Sequence, residues 1–179
     1  MQRRDLLRFA ACSALALPLR SRAQSWRDPE QHFFSPLLGD LSAELKQAAT
    51  EGKKGVLLIY EMDECPFCER LHKTALREIA VQDYYRQHFA VFKIDILGGN
   101  PLAGFDGVEA TESKFASQQR IRATPTSVFY DLAGKELVRF PGTPRDKKEF
   151  LQWGDFVVRE KYRTTNFVQF RRAEEAAKP

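Results

Sequence analysis

Residues 55–68 form the stretch GVLLIYEMDECPFC. Its first half is an unbroken apolar run, which is typical of a central strand buried on both faces. A helical pattern begins at Pro66, where a proline is tolerated because the N–H that it lacks would have no partner. The stretch therefore predicts a buried strand that leads directly into a helix, with Cys65 and Cys68 at the junction.

The two cysteines at this junction are placed for thiol–disulfide exchange. Unpaired N–H groups and the positive end of the helix dipole stabilise a thiolate on Cys65, and the thiolate is the form that attacks a disulfide. Cys68 lies one turn deeper and can reach the same sulfur to release the product. We therefore predict that Cys65 is the nucleophile and that Cys68 is the resolving cysteine.

The third cysteine, Cys12, lies in a segment that we expect to be removed. Residues 1–23 combine a basic start, an apolar run from Phe9 to Leu19 and small residues before a cut after Ala23, and this pattern predicts an export signal. Residues 3–8, RRDLLR, resemble the twin-arginine signal, which we favour over the general secretory route. The apolar run is too short to span a bilayer, so we expect a soluble periplasmic protein without a permanent membrane anchor.

The charge of the chain argues against one class of function, and its cysteine content favours another. Residues 1–23 contain five arginines and one aspartate, so the remaining chain carries 23 basic and 23 acidic residues. Nucleic-acid binding is therefore not predicted, because it needs a net basic surface. The remaining chain holds one close cysteine pair. Its loop is too short to stabilise the fold by much, so we interpret the pair as redox-active.

The rest of the chain predicts one α/β domain with a central mixed sheet covered by helices on both faces. Residues 24–36 are expected to form an N-terminal arm, residues 37–160 the domain and residues 161–179 a C-terminal tail. Helical patterns cover residues 38–51, a stretch from Pro66 through Ile79, a stretch carrying Tyr84, Tyr85 and Phe89, and residues 109–120 and 147–162. Strand patterns cover residues 56–61, 90–96, 126–131 and 135–140, with a loop at residues 97–108 and a hairpin turn at Ala133-Gly134. The tail is expected to pack on the domain as a helix or strand, with docking on a partner or a membrane surface as the alternative.

This order of elements, with Cys-Pro-Phe-Cys after the first central strand, resembles the thioredoxin fold. The resemblance covers residues 37–160 and rests on three motifs, at residues 61–68, at residues 123–126, and at residues 131–135 followed by residues 140–142. Within that fold the sequence is similar to periplasmic proteins of the SoxW and DsbC/DsbG type. The resemblance implies that Pro125 is cis and lies against the cysteine pair, and that Thr124 and Pro125 position the substrate chain.

Two residues between the cysteines are further candidate substrate contacts. Pro66 and Phe67 lie in the loop that a partner protein would approach. For Phe67 the alternative role is hydrophobic shielding of the disulfide.

The sequence departs from the family at one position. Thioredoxins carry a buried aspartate six residues before the first cysteine, and this chain has Ile59 there. Glu61, near the end of the strand, is the nearest substitute, and we predict that it accepts the proton of Cys68, directly or through water. The alternative is that Glu61 is only a strand-end carboxylate.

Together these features predict an exported thiol–disulfide oxidoreductase that acts on protein disulfides. Negative charge at Glu61, Asp63 and Glu64 opposes a thiolate on Cys65. We therefore favour a reductant or isomerase, fed by a membrane thiol reductase, over a strong oxidant. The alternative is a binding protein of the same fold, a chaperone or metal carrier that uses the cysteines as ligands.

Neither a cofactor nor a metal is predicted. A tetrahedral metal site built on Cys65, Cys68 and His72 lacks a fourth ligand. His72, one helical turn after Cys68, is instead expected to tune the cysteine pair. A c-type haem would need a histidine where Glu69 stands, and the glycines of residues 97–108 do not have the spacing of a phosphate-binding loop.

Overall fold

The computed structural model describes residues 25–177, so the export signal expected in residues 1–23 lies outside the described residues. The strands are β1 (Gly55–Glu61), β2 (Phe89–Asp95), β3 (Pro101–Ala103), β4 (Glu109–Thr111), β5 (Thr126–Tyr130) and β6 (Glu136–Pro141). The helices are α1 (Pro29–His32), α2 (Leu41–Thr50), α3 (Pro66–Leu71), α4 (Ile79–His88), α5 (Glu112–Gln118), α6 (Lys147–Val158) and α7 (Phe167–Ala176). Among these helices, none is both long and apolar enough to cross a membrane.

The predicted mixed sheet with flanking helices is confirmed. Four strands lie in the order β2-β1-β5-β6, with β2 parallel to β1 and the other neighbours antiparallel. All seven residues of β1 are buried, as expected for a central strand that has neighbours on both sides. Strand alternation places Ile59 and Glu61 on one face of the sheet and Leu58 and Tyr60 on the other.

Each face of the sheet carries its own hydrophobic core. The core on the Ile59 face is packed by α3, α4, α6 and α7, and includes Phe33, Leu57, Ile59, Leu71, Leu76, Tyr85, Phe129, Phe150, Trp153 and Phe170. The core on the opposite face is packed by α2 and α5, and includes Leu41, Leu45, Val56, Leu58, Tyr60, Phe92, Ile94, Phe115 and Tyr130. The sheet is thus covered on both faces, and the end of β1, which leads to the cysteine pair, is buried.

The helix after the cysteines is shorter than the prediction of a helix from Pro66 through Ile79. α3 continues into a π-helical turn, His72–Leu76, and the helical backbone ends before Glu78, which is extended (φ −72°, ψ 125°) and precedes α4. A π turn inserts an extra residue, changes which side chains share a face and occurs often at functional sites. Here it begins at His72.

The predicted helix over residues 109–120 and the predicted loop over residues 97–108 both need correction. Residues 109–111 form β4, which pairs with β3 inside the expected loop, so α5 begins only at Glu112. The Thr111 hydroxyl accepts the N–H of Lys114 and caps this later start. The helix ends at Gln118, because Arg120 adopts a left-handed backbone conformation (φ 56°).

Both terminal segments pack on the domain. In the N-terminal arm, Ser35 donates a backbone hydrogen bond to Val91 of β2, and Phe33 is fully buried against Tyr85 and Phe150. In the C-terminal tail, the buried ring of Phe170 packs into the core beneath α6. The packed-helix interpretation of the tail therefore holds for the described residues.

Candidate redox site

The cysteine pair lies at the junction of strand and helix that the sequence predicted. Cys65 is the N-cap residue of α3, and its sulfur accepts the backbone N–H of Cys68 at 3.1 Å. The two residues are joined by a disulfide, with their Cα atoms 5.2 Å apart. Both side chains are more than nine-tenths buried, while Pro66 and Phe67 between them are exposed. A sulfur that caps a helix receives N–H groups and the helix dipole, which favour its anionic form once the disulfide is reduced.

A second segment, directly before β5, comes close to Cys65 because the start of β5 pairs with the end of β1. The Thr124–Pro125 peptide bond is cis, as the resemblance implied. The Cys65 sulfur lies 3.4 Å from the Thr124 hydroxyl oxygen and 3.7 Å from the Thr124 carbonyl oxygen. The carbonyl of Pro125 accepts the N–H of Gly142 at 2.7 Å, which fixes the segment to the end of β6. The fold thus brings the 124–125 segment to the sulfur although the two are distant in sequence.

Glu61 is buried and paired with a histidine. Both of its carboxylate oxygens lie 2.9 Å from Nε2 of His72, and the residue is 7% exposed. A buried carboxylate needs such a partner, because burial without one costs several kilocalories per mole. His72 reaches Glu61 because it is one helical turn beyond Cys68, and its backbone N–H donates to the Cys68 carbonyl.

One open cleft of about 260 Å³ lies at the carboxyl end of β1 and is shared by the cysteine pair, Glu61 and His72. The cleft is lined by Glu61, Met62, Asp63, Glu64, Cys65, Cys68, Glu69, His72 and Lys73. Four of the lining residues are acidic, and the ion pair between Glu69 and Lys73, 2.7 Å apart, neutralises one of them. The hydrogen bond from Lys73 lowers the pKa of Glu69. The surplus of negative charge opposes a thiolate, while the N-cap geometry of Cys65 favours one.

The N-terminal arm covers the outer side of the histidine. The ring of Phe34 packs against the ring of His72, with centroids 5.7 Å apart. Oε1 of Glu30 lies 4.0 Å from Nδ1 of His72, and the Glu30 carboxylate is held by Lys93 of β2 at 2.7 Å. The histidine therefore lies between a buried carboxylate and a surface carboxylate.

One protein family matches most of the domain. The thioredoxin-like domain family matches residues 41–158. This chain belongs to that family.

Within residues 25–177, no cluster of three or more histidine, cysteine, aspartate or glutamate residues could hold a metal ion.

Solved structures resemble this thioredoxin-like chain in fold. A thioredoxin-fold protein from Helicobacter pylori aligns with a TM-score of 0.65 at 22% identity, over 83% of this chain and 92% of the other. The DsbH oxidoreductase aligns with a TM-score of 0.54 at 16% identity, over 78% of this chain and 94% of the other. A comparison with curated proteins finds no match. The expected likeness to the SoxW and DsbC/DsbG type stays a prediction.

The thioredoxin-like site contains most of the residues singled out from the sequence, together with a contact that the sequence did not suggest. Glu61, Cys65, Cys68 and His72 share the cleft, and Thr124 touches Cys65. The sequence pointed to Glu61 and His72 separately, but their direct pairing was not predicted. It is set by the distance between the end of β1 and the π turn, which no local pattern specifies.

The contribution of the N-terminal arm was missed. Glu30 and Phe34 lie in a segment without periodicity, far from the cysteines in the chain, and Lys93 is on the neighbouring strand. The only available signal was the pair of adjacent aromatic residues, Phe33 and Phe34, which indicates burial but not a destination.

Proposed function

We propose that this thioredoxin-like protein is an exported thiol–disulfide oxidoreductase that reduces or isomerises disulfides of other proteins in the periplasm. The observation that carries the proposal is the setting of the Cys65 sulfur. It accepts the N–H of Cys68 at 3.1 Å and lies 3.4 Å from the hydroxyl of Thr124. One side of the sulfur is thus stabilised as an anion, and the other adjoins a fixed backbone segment.

Reduction of a substrate takes two exchange steps. The Cys65 thiolate attacks one sulfur of the substrate disulfide, forms a mixed disulfide and releases the first substrate thiolate. Cys68 then loses its proton to Glu61 and attacks the Cys65 sulfur, which releases the second substrate thiolate. Two electrons pass from the dithiol to the substrate, and the disulfide between Cys65 and Cys68 is the product on the enzyme.

Substrate binding is assigned to residues around the sulfur. Phe67 is 60% exposed although it is a large apolar side chain, and it stands beside Pro66 next to the disulfide. Exposed aromatic residues at such positions serve as anchors for protein partners. Thr124 and Pro125 hold the substrate chain against Cys65 from the opposite side.

The charge around the cleft favours the reducing or isomerising direction. Asp63 and Glu64 are exposed and directly precede Cys65, so they lower the stability of its thiolate. When the reduced form of a cysteine pair is less stabilised relative to its disulfide, the pair is a stronger reductant. The protein then needs a source of electrons, which we assign to a membrane thiol reductase.

An insulin-reduction assay combined with a redox titration tests this function. The wild-type protein is expected to precipitate insulin B chain with dithiothreitol as electron source, and thiol labelling is expected to give one two-electron transition. A Cys65→Ser/Cys68→Ser variant is the matched control and should be inactive. If the wild-type protein is equally inactive and its cysteines do not cycle, the oxidoreductase proposal is wrong and a binding role on the same fold is supported.

A Cys68→Ser variant identifies the substrate. This variant retains the nucleophile but cannot resolve the mixed disulfide with a substrate. Mixed disulfides should therefore accumulate in cells, and the trapped proteins can be isolated and sequenced. A Cys65→Ser variant is the control, because it retains only the buried cysteine and should trap far less protein.

A further inference from the structure

The rim of the redox cleft carries carboxylates that no basic side chain neutralises. Asp63 and Glu64 directly precede Cys65, line the cleft together with it and are exposed. Neither forms an ion pair with a side chain of residues 25–177, whereas Glu69 in the same cleft does. Glu64 has a left-handed backbone conformation (φ 55°), which glycine or asparagine adopts with less strain, so the local backbone does not explain a glutamate here. Two uncompensated negative charges therefore lie beside the reactive cysteine.

A third carboxylate extends this negative surface onto the neighbouring strand. Asp95 ends β2, which runs parallel to β1, and it lines a groove together with Asp63. The groove also contains Lys93, but the charge of this lysine is already paired, since its Nζ lies 2.7 Å from Oε1 of Glu30. We call Asp63, Glu64 and Asp95 the acidic rim.

The other basic side chains near the cleft do not offset the acidic rim. Lys73 lines the cleft, but its ammonium group pairs with the Glu69 carboxylate at 2.7 Å. Arg70 on α3 and Arg122 before β5 are exposed, and neither lines the cleft or the groove. The mouth of the site therefore keeps a net negative charge.

Exposed apolar side chains lie among these charges. Met62 lines both the cleft and the groove. Leu97 is exposed just beyond β2, where the backbone N–H of Ile96 donates to the Glu61 carbonyl at 2.9 Å and holds this segment beside β1. A surface that is both apolar and acidic matches a polypeptide with apolar and basic side chains. A metal ion is not the matching ligand, because residues 25–177 contain no group of three or more suitable side chains that could hold one.

We propose that the acidic rim selects protein substrates whose disulfide is flanked by lysine or arginine side chains. This inference rests on the proposed oxidoreductase function and names the substrate class of the same site. Opposite charges raise the rate at which a basic segment meets the cleft, and they orient the segment there. A segment with acidic residues beside its disulfide is repelled, so the rim also discriminates against the wrong substrate.

A basic substrate also favours the exchange that follows binding. Asp63 and Glu64 oppose a thiolate on Cys65, and a basic side chain of the bound substrate offsets that effect. The Cys65 thiolate then forms a bond to one substrate sulfur, the substrate disulfide bond breaks, and its electron pair leaves with the second substrate sulfur. Because the carboxylates of the acidic rim take no part in these bond changes, they determine specificity and are not catalytic residues.

Three disulfide-linked peptide dimers test this selection. The peptides have the same length and differ only at the residues next to cysteine, which are lysine, serine or glutamate. Each rate with reduced protein at pH 7 is divided by the rate with β-mercaptoethanol, a neutral thiol, to remove the intrinsic reactivity of each disulfide. We expect the lysine peptide to react about fivefold or more faster than the serine peptide, and the glutamate peptide to be slower than both. In about 1 M salt, where the Debye length is about 3 Å, these differences should shrink severalfold.

A charge-neutralising variant locates the selection in the rim. Asp63→Asn/Glu64→Gln removes two exposed charges and keeps the size of both side chains, so the ratio of the lysine-peptide rate to the glutamate-peptide rate should fall about fivefold or more. The variant also changes the stability of the Cys65 thiolate, but this alters the rates with all three peptides by the same factor and leaves their ratio unaffected. Glu160→Gln/Glu175→Gln is the matched control, because it removes two exposed carboxylates that do not line the cleft, and it should keep the wild-type ratio.

The outcomes separate this inference from the proposed function. If the wild-type protein reduces all three peptides at equal normalised rates, selection by charge is wrong while the oxidoreductase function stands. The same conclusion follows if Asp63→Asn/Glu64→Gln keeps the wild-type ratio at low salt. If the wild-type protein reduces none of the peptides and does not reduce insulin, the proposed function itself has failed.

Discussion

At the scale of single residues, the position of one carboxylate is explained by strand geometry. Thioredoxins carry an aspartate where this chain has Ile59, and Ile59 is fully buried among apolar side chains. Side chains two residues apart on a strand face the same side of the sheet, so Glu61 faces the same layer but at the strand end. At the end of the strand, His72 can pair with the Glu61 carboxylate. Glu61 therefore presents a carboxylate on the same face of the sheet as Ile59, two residues further along the strand.

Phe67 provides a test of substrate recognition at the same scale. Replacing it with serine should lower the rate of insulin reduction severalfold, because an exposed aromatic anchor is lost. The thionitrobenzoate release from Ellman's reagent should be unaffected, since that small molecule needs no anchor. The thermal midpoint should also stay unchanged, since the ring is 60% exposed.

Val168→Ser is the matched control for this change. Val168 is 47% exposed on α7, away from the cysteines, and its loss should affect neither substrate. Equal insulin rates for wild type and Phe67→Ser would leave shielding of the disulfide as the role of the ring.

At the scale of elements, local patterns predicted the site better than its surroundings. The unbroken apolar run of β1, the proline at the start of α3 and the cysteine spacing all lie within one short stretch, so the sequence alone located the cysteine pair. Residues 109–111 were predicted to be helical, but they pair with β3 and form a strand instead. The secondary structure of such short segments is determined by their tertiary partners and not by local propensity.

One buried carboxylate links α6 to α7. Glu149 of α6 is 7% exposed and accepts hydrogen bonds from the Arg145 backbone N–H at 2.6 Å and from the Arg171 guanidinium at 2.7 Å. Burial alone would raise the pKa of Glu149, but these two donors outweigh burial and hold it below the ordinary value. Because the folded protein binds this proton less tightly than the unfolded chain, the stabilisation is complete above about pH 5 and is lost as the pH falls further.

Glu149→Gln should therefore lower the free energy of unfolding at pH 7 by about 2 kcal/mol, the range for hydrogen bonds to charged groups. Urea unfolding at neutral and acidic pH measures this, and the difference from the wild-type protein should shrink towards acidic pH. Glu175→Gln is the control, since Glu175 is exposed and lies 3.5 Å or more from its partners. A pH-independent difference would contradict the assigned role.

At the scale of the whole molecule, segments from both ends of the described chain close over one face of the sheet. Phe33 from the arm and Phe170 from the tail belong to the same core as Ile59. Aromatic side chains are suited to burial, but the sequence does not specify which core they enter, because contacts between distant segments follow from the assembled fold. The contact between the arm and His72 is the part of the site that depends most on this assembly.

Buried tyrosines set an alkaline limit to stability. Burial raises the pKa of Tyr130 to about 12, and it raises the pKa values of Tyr60 and Tyr85 well above the ordinary value. An unfolded tyrosine ionises near pH 10, so above that pH the unfolded chain loses protons that the folded protein retains. Stability should therefore fall steeply as the pH rises from about 10 to 12. Chemical denaturation across this range measures the slope, which Tyr130→Phe should reduce; an identical slope would contradict burial of its hydroxyl.

The proposed redox chemistry requires that the start of α3 activates the Cys65 sulfur. The direct measurement is the rate at which iodoacetamide alkylates each cysteine of the reduced protein at pH 7, with the sites located by mass spectrometry. We predict that Cys65 reacts about tenfold faster than free cysteine, because the N-cap geometry increases its thiolate fraction, and that buried Cys68 reacts much more slowly. A Cys65 that reacts no faster than free cysteine, in a protein from which no oxidised pair can be recovered, would show that the helix start does not activate this sulfur.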